Sequence, residues 1–271
     1  SNSGNNIFVY YLASQAGTVG HPSSQALSAT SGTFSTTLNV TGDATFDTST
    51  LKVDSTNNRV GVGTASPASE LTVAHASGTD GRGIRLVNSS NSQTYETRIG
   101  VQSLENTSYA IKDITQDAVR FLIDLNGHVT MPSQPAFQAH LASAQLNIAV
   151  NSAVTILFAG EVFDQNADFD TSTYTFTAPI TGKYQLNVMI LTSNLDSASQ
   201  YYQIQLITSN RAYYHTMDAD FGQDSAFHNQ NINILADMDA SDTAIVKILQ
   251  PSGTSQTDLD ATSTFSGFLA C

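Results

Sequence analysis

Two stretches decide the fold of this chain: FTAPITGKYQLNVMI (Phe176–Ile190) and STFSGFLAC (Ser263–Cys271), the last nine residues. In the first stretch apolar residues alternate with polar ones, and this period of two is typical of half-buried strands. A proline and a glycine interrupt the alternation, which predicts the end of one strand, a turn and a second strand. Phe265 and Phe268 make the terminal strand so apolar that we expect it at the centre of a sheet or at a subunit interface.

The rest of the C-terminal half follows the same pattern. YYQIQLI (Tyr201–Ile207) and AIVKIL (Ala244–Leu249) predict two more strands, bounded by Ser, Asn, Asp, Pro and Gly. No segment predicts a helix longer than a turn or two, although residues 139–149 tolerate one, so the predicted fold class is all-β. We expect the aromatic side chains of this half to pack in the core or at a trimer interface: Phe137, Phe158, Phe176, Tyr184, Phe265 and Phe268.

Three separated motifs occur in a fixed order: PAF at Pro135–Phe137, FTAPITGKY at Phe176–Tyr184 and FSGFL at Phe265–Leu269. In order and approximate spacing they resemble the globular head of complement component 1q and its relatives in the tumour necrosis factor superfamily. The resemblance covers about the last half of the chain. It implies a jelly-roll β-sandwich that assembles as a tight homotrimer and binds ligands on its outer surface, with a strand and loop at residues 139–149.

The N-terminal half consists of short repeats. Each copy carries a short apolar core, and tight turns are expected at Gly42-Asp43, Asn57-Asn58 and Asn126-Gly127. The copies are TLNVTGDATF (Thr37–Phe46), TLKVDSTNNRVGVGT (Thr50–Thr64), ELTVA (Glu70–Ala74) and a degenerate FLIDLNGHVTM (Phe121–Met131). Each copy is too small to bury its own apolar face, so three chains or stacked repeats must supply the missing surface.

The pattern VGVGTxxPxxxLxV from Val60 to Val73 resembles a repeat of bacteriophage tail fibres and related adhesins. The resemblance implies a fibrous, trimeric virion protein, and it suggests that the glycines allow close backbone approach at a threefold axis. We therefore predict a homotrimer with three parts: a fibre shaft of β-repeats (1–80), a small β-sandwich knob (81–134) and a jelly-roll head (135–271). In the shaft, Ile7–Leu12 predicts an apolar strand and Ser23–Thr36 an extended linker.

The charge is strongly acidic and uneven. The chain has 10 Lys and Arg against 23 Asp and Glu, a net charge of −13, and residues 135–271 alone carry 13 acidic and 3 basic side chains. Without a basic patch, nucleic acid is not an expected partner. No apolar run approaches the roughly 20 residues of a membrane span. A single cysteine, Cys271, excludes an intrachain disulfide, and an unpaired, buried thiol is expected.

No constellation of catalytic residues follows from the sequence: it lacks His-Glu-x-x-His, Cys-x-x-Cys and Gly-x-Ser-x-Gly patterns, so we expect no enzyme. Alternating Asp residues would suit calcium, which takes six to eight oxygen ligands. No cofactor is certain, and calcium is the candidate; the alternative is a set of solvated acidic loops. The favoured calcium ligands are Asp218, Asp220, Asp237, Asp239 and Asp242, and the set weighed beside them is Asp164, Asp168, Asp170 and Asp224.

Exposed aromatic side chains beside polar loops often bind glycans or proteins. The candidate ligand-binding residues are Arg211, Tyr213, Tyr214, His215 and Tyr201. Because strands alternate, one member of each Tyr pair should face the core and the other should face outward.

These features predict a phage fibre protein that attaches a virion to a host cell-surface glycan or protein through its head. The chain starts without Met or a signal peptide, so we expect an upstream anchor to other virion proteins and an extracellular, virion location. Two alternatives stay open. One is a structural tail or capsid decoration fibre in which the head is a trimerisation clamp, and the other is a non-viral extracellular adhesin.

Overall fold

The computed structural model describes residues 37, 39–47, 50–75, 83–101 and 105–271, with residues 105–107 described by their backbone alone. Every regular element in these residues is a strand, which confirms the all-β class. The predicted strand Ile7–Leu12 and linker Ser23–Thr36 lie outside the described residues. The chain divides into two compact units, Ser1–Thr72 and Val73–Cys271. Within the described ranges, no helix has the length and apolarity needed to cross a membrane.

The first unit contains one sheet in the order β1-β2-β3-β4. Its strands are β1 (Ala44–Phe46), β2 (Leu51–Asp54), β3 (Arg59–Val62) and β4 (Leu71–Val73). The predicted turn at Asn57-Asn58 joins β2 to β3, with Asn58 at a φ of 54°. The Asp54 carboxylate accepts hydrogen bonds from the backbone N–H groups of Thr56 and Asn57, and this explains the tight turn.

The glycines of the VGVGT motif serve the fold of this unit. A Cβ on Gly61 would lie 2.5 Å from the Thr64 carbonyl oxygen and 3.5 Å from the Pro67 Cβ, so the turn after β3 packs directly on the bare glycine. Gly63 has a φ of 76°, in the left-handed region that favours glycine. The Arg59 guanidinium donates to the Pro67 carbonyl oxygen at 3.0 Å. The close approach expected at a threefold axis is therefore already required within one chain.

The knob is a meander of five antiparallel strands in the order β5-β6-β7-β8-β9. The strands are β5 (Ile84–Asn88), β6 (Gln93–Val101), β7 (Glu105–Asp113), β8 (Ala118–Ile123) and β9 (Val129–Thr130). The predicted turn at Asn126-Gly127 joins β8 to β9, and Gly127 has a φ of 85°. A sandwich was expected here, whereas the described knob strands form a single sheet, because each strand pairs with the next along the chain.

The head is a sandwich of two antiparallel sheets. One runs β12-β10-β21-β15-β18, with β20 beside β15, and the other runs β13-β14-β19-β16-β17, with β11 beside β19. The strands are β10 (Ala136–His140), β11 (Ser152–Thr155), β12 (Gly160–Asp164), β13 (Phe169–Asp170), β14 (Thr175–Thr177), β15 (Gly182–Leu195), β16 (Tyr201–Thr208), β17 (Ala212–Asp218), β18 (Ser225–Met238), β19 (Thr243–Gln250), β20 (Asp258–Leu259) and β21 (Thr264–Leu269). Residues 139–149 contain the end of β10 and a loop, with no helix.

Aromatic rings fill the core between the two sheets. Phe137 stacks on Phe169 and Phe176 at centroid distances of 5.0 and 4.8 Å and meets Phe265 edge-on at 5.0 Å. Five of the expected core residues are fully buried: Phe137, Phe158, Phe176, Tyr184 and Phe265. The terminal strand β21 lies between β10 and β15, at the centre of its sheet, as expected from its apolar sequence.

The prediction of core packing is wrong for Phe268, because its side chain is 47% exposed. Side chains alternate between the two faces of a strand, so a residue three positions from Phe265 must point away from the core. The inward position next to it belongs to Gly267, where a Cβ would lie 2.9 Å from the Phe137 ring. Phe268 therefore leaves about half of its surface free for contacts outside the head core. The expected burial of Cys271 is also wrong, since Cys271 is exposed.

Candidate functional site

The outward side of the β13-β14-β19-β16-β17 sheet, here called the outer face, collects part of the predicted ligand-binding set. Buried and half-buried residues alternate strictly along β16. Tyr202 is fully buried, and Tyr201 points outward on the same side as Gln203 and Gln205. The predicted division of the first Tyr pair is therefore present, with Tyr201 as its outward member.

The second Tyr pair divides in the same way on β17. Tyr214 lies opposite Gln205 and is 59% exposed. Tyr213 lies opposite the buried Leu206 and packs against the core, so it is not an outer contact residue. His215 lies opposite the buried Ile204, and its Nδ1 is buried without a hydrogen-bond partner among the described residues. The strand register turns Tyr213 and His215 toward the core and Tyr214 outward, and the ligand-binding set itself stays a prediction.

A ladder of polar side chains lies beside the Tyr214 ring on the outer face. Gln205 Nε2 donates to Gln203 Oε1 at 2.8 Å, and Gln203 Nε2 donates to Thr216 Oγ1 at 2.9 Å. On the other side, Lys247 of β19 lies opposite Gln205. The ladder orients amide donors and acceptors next to an exposed aromatic ring, which suits sugar hydroxyls or a polar peptide.

The ladder residues were not among the predicted site residues. A pattern for them was present in the sequence, because in YYQIQLI the two Gln side chains alternate with Ile and Leu and share the face of Tyr201. The contributions of Thr216 and Lys247 depend on which strands lie next to β16. That neighbourhood follows from the sheet order, which the local pattern does not contain.

At the rim of this sheet the predicted ligand and metal residues meet each other. Arg211 forms an ion pair with Asp237 at 3.0 Å. Asn210 Nδ2 donates to the Asp237 carbonyl oxygen at 3.0 Å and to Asp242 Oδ2 at 2.9 Å. The same Asp242 oxygen accepts the backbone N–H of Asp239 at 2.8 Å. Arg211 and three of the expected calcium ligands therefore hold one another and the loop before β19 in place.

The other aspartates also bind donors of their own loops. Asp164 accepts the backbone N–H groups of Asp168 and Phe169, at 3.1 and 2.8 Å. Asp170 accepts hydrogen bonds from Ser172 and Thr173, which lower its pKa to about 2. Burial raises the pKa of Asp168, with the neighbouring Asp164 carboxylate adding to the effect. The hydrogen bonds that Asp164 and Asp170 accept are typical of carboxylates that cap turns.

Asp218 and Asp224 follow the same rule. Asp218 Oδ1 accepts the backbone N–H of Asp220 at 3.1 Å, and Asp224 Oδ1 accepts the backbone N–H and the hydroxyl of Ser197 at 2.9 and 2.8 Å. Across the residues that the structure describes, no three His, Cys, Asp or Glu side chains converge as metal ligands. Within one chain these aspartates accept hydrogen bonds from loop donors, and the calcium assignment stays a prediction.

The β12-β10-β21-β15-β18 sheet presents a different surface, here called the assembly face, away from the core. Exposed apolar side chains are spread across it: Phe163, Met189, Phe227, Leu235 and Phe268. Phe268 of β21 and Leu235 of β18 both lie opposite Gln185 of β15, so they flank it on one side of the sheet. A row of apolar groups separated by Gln and Asn side chains is typical of a surface that is buried on association.

A family model agrees with this architecture. No curated protein matches the chain. The globular domain of zebrafish complement 1qA protein is similar in structure, with 19% sequence identity and a TM-score of 0.39 over 51% of this chain and 98% of that one. Residues 136–270 match the family model of the C1q domain. Domains of this family are typically extracellular, trimeric and ligand-binding rather than enzymatic. The C-terminal half of the chain is therefore a C1q-like jelly-roll domain.

Proposed function

We propose that this chain is a fibre protein that attaches a virion, in the first instance a phage particle, to a host cell surface. In this proposal the head assembles as a homotrimer, and its outer face binds a cell-surface glycan or protein. The observation that carries the proposal is the exposed Tyr214 ring beside the Gln203–Gln205–Thr216 ladder. An aromatic surface next to oriented amides recognises polar ligands, and nothing in it resembles a catalytic centre.

The fibre part of the proposal rests on the N-terminal repeats. The VGVGT motif, with its bare Gly61 under the following turn, resembles repeats of phage tail fibres. The division at 80 and 134 into shaft, knob and head belongs to the same proposal, as do a virion location and contacts with other virion proteins. Three identical heads on one axis would raise avidity without new contacts, because each additional binding event is intramolecular.

A second function is favoured by the assembly face. If the exposed Phe268 and Leu235 chiefly hold three chains together, the head is a trimerisation clamp of a decoration fibre without a receptor of its own. A non-viral extracellular adhesin would use the same outer face on a different particle or cell. The clamp differs from the other two functions in one respect: it predicts no ligand on the outer face.

Binding of the labelled full-length chain to a panel of bacterial cells and to a glycan array tests the proposal. Tyr214→Ala should reduce binding about tenfold or more, since exposed Tyr residues at the centre of an interface are frequent hot spots. Leu146→Ala is the matched control, because Leu146 is 60% exposed on a loop of the head and lies outside the outer face. Equal binding of the two variants, or no saturable binding by the parent chain, would favour the clamp.

A further inference from the structure

The knob sheet carries an apolar surface on one of its two sides, here called the knob face. Leu86 and Tyr95 lie opposite each other in β5 and β6, and Ile99 and Tyr109 lie opposite each other in β6 and β7. Together with Ile84, these side chains are exposed, with Leu86 67% and Ile99 54% accessible. A contiguous apolar face of this kind on a single-layer sheet is a surface that another layer normally covers.

The other side of the same sheet holds buried charges. Glu96 is 2% exposed and lies between two guanidinium groups, 2.7 Å from Arg85 and 2.6 Å from Arg98. A free-standing sheet would place such ions in water and its Leu, Ile and Tyr side chains inside, because burying charge is costly and burying apolar surface is favourable. In the knob Glu96 is covered while Leu86 and Ile99 are exposed.

The knob face also holds one buried carboxylate, Asp113, which lies opposite Tyr95 and is neutralised by Arg120 at 2.9 Å. The exposed apolar part of the knob face is therefore suited to burial in an assembly.

The knob face contains a groove. It has a volume of about 360 Å³, and its walls include Ile84, Thr97, Ile99 and Tyr109 of the knob. Its lining is mainly apolar, and its floor is closed where Gly83 approaches β6 so tightly that a Cβ would lie 1.9 Å from the Thr97 carbonyl oxygen. A groove of this kind accepts apolar side chains from an opposing surface.

We infer that the knob face binds the knob faces of further copies of this chain, so that three knobs supply the layers that one chain lacks. The inference rests on the trimer of the proposed function. Net charge does not oppose contact between identical knobs, because residues 81–134 hold five acidic and five basic side chains and are neutral.

The connection to the head also favours this occupant. Five residues separate β9 from β10. Gln165 Nε2 binds the carbonyl oxygens of Met131 and Gln134 at 3.0 and 2.8 Å, which ties this connection to the edge of the head. A trimer of heads would therefore hold three knobs near one another at high effective concentration.

Cysteine labelling of the full-length chain tests the inference. In a Cys271→Ser background, Leu86→Cys and Val87→Cys place single thiols on neighbouring residues of β5 that point to opposite faces. In one isolated chain Leu86 and Val87 are almost equally accessible, 67% and 60%. If copies cover the knob face, maleimide should react with Leu86→Cys at least about tenfold more slowly than with Val87→Cys, because labelling must await local opening.

Light scattering on the same samples separates the outcomes. A trimer with slow labelling at Leu86→Cys alone supports the inference, and Ile99→Cys should then be slow as well and replaces Leu86→Cys if that variant does not fold. Equal rates in a trimer overturn the inference and leave the proposed function standing. Slow labelling at Leu86→Cys in a monomer shows that another part of the chain covers the knob face, which overturns it too. A monomer with equal rates overturns both the inference and the proposed trimer.

Discussion

Single carboxylates hold the loops of the head in place, and Asp196 does so from a buried position. Its side chain is 3% exposed. Oδ2 accepts the backbone N–H groups of Thr254 and Ser255, and Oδ1 accepts the backbone N–H of Ala198 at 2.8 Å. The hydrogen bond from Ser255 is the main reason that the Asp196 pKa lies below its ordinary value. One side chain thus joins the loop after β15 to the loop after β19.

Replacing Asp196 should destabilise the head. Asp196→Asn keeps the shape but presents an NH2 group to backbone donors, and leaving buried donors unsatisfied costs about 1–3 kcal/mol in the free energy of unfolding. Urea denaturation followed by circular dichroism measures the difference. Asp220→Asn changes an exposed carboxylate and should leave the midpoint unchanged. A parent-like midpoint for Asp196→Asn would mean that the loops hold together without this carboxylate.

The same variant gives a pH dependence of known sign. A carboxylate with a lowered pKa in the folded protein contributes stability that is present above the unfolded pKa, near 3.8, and that is lost as the pH falls through the folded value. The stability difference between the parent chain and Asp196→Asn should therefore be largest above pH 4 and should shrink below it. Denaturation midpoints measured from pH 2 to pH 7 test this, and a difference that grows on acidification would contradict it.

At the scale of elements, alternation located the strands but left their partners open. In the knob, the repeat FLIDLNGHVTM with its Asn126-Gly127 turn predicted the hairpin of β8 and β9 near its observed position. The sequence did not predict that the knob strands remain one sheet, since layer formation depends on contacts between strands rather than within them. The pair Tyr213 and Tyr214 is a second example. The sequence predicted that one of the two would point outward, but only the register of β17 against β16 shows that it is Tyr214.

The β3 turn offers a test at this scale. Gly61→Ala would place a methyl group 2.5 Å from the Thr64 carbonyl oxygen, so the turn after β3 must shift. Overpacking of this kind typically costs about 1–3 kcal/mol. Gly42→Ala is the control in the same unit, because a Cβ there meets no atom within 4 Å. Hydrogen exchange of β2 and β3 should accelerate in Gly61→Ala only, and equal exchange in both variants would show that the turn adapts without cost.

At the scale of the whole molecule, the apolar side chains divide between folding and assembly. Phe265 and Phe268 lie three residues apart on β21, one in the core and one on the assembly face. The strand period makes this division unavoidable, and the sequence suggested core or trimer contacts for both without assigning either. The same logic applies to the knob face, which no described part of the second unit covers.

Substitution of the two phenylalanines by Ala should therefore have different effects, one on folding stability and the other on the oligomeric state. Phe265→Ala removes a fully buried ring and should cost about 3–5 kcal/mol of folding stability. Phe268→Ala should leave the fold of the chain unchanged by circular dichroism and shift the trimer toward monomer on dilution, as measured by light scattering. An unchanged oligomeric state in Phe268→Ala would remove this residue from the trimer interface, and a large loss of fold would contradict its exposed position.

By itself the sequence determined the all-β class, the positions of most strands and turns, and the C1q-like order of motifs in the last half. These features are local, since each depends on residues a few positions apart that share one strand or one turn. The tertiary structure alone decided which loop donors the aspartates bind and that Arg211 is paired with Asp237. Those partners lie far apart in sequence, 26 residues for Arg211 and Asp237 and 59 for Asp196 and Ser255. The order of strands in the two sheets brings them together, and no local period encodes that order.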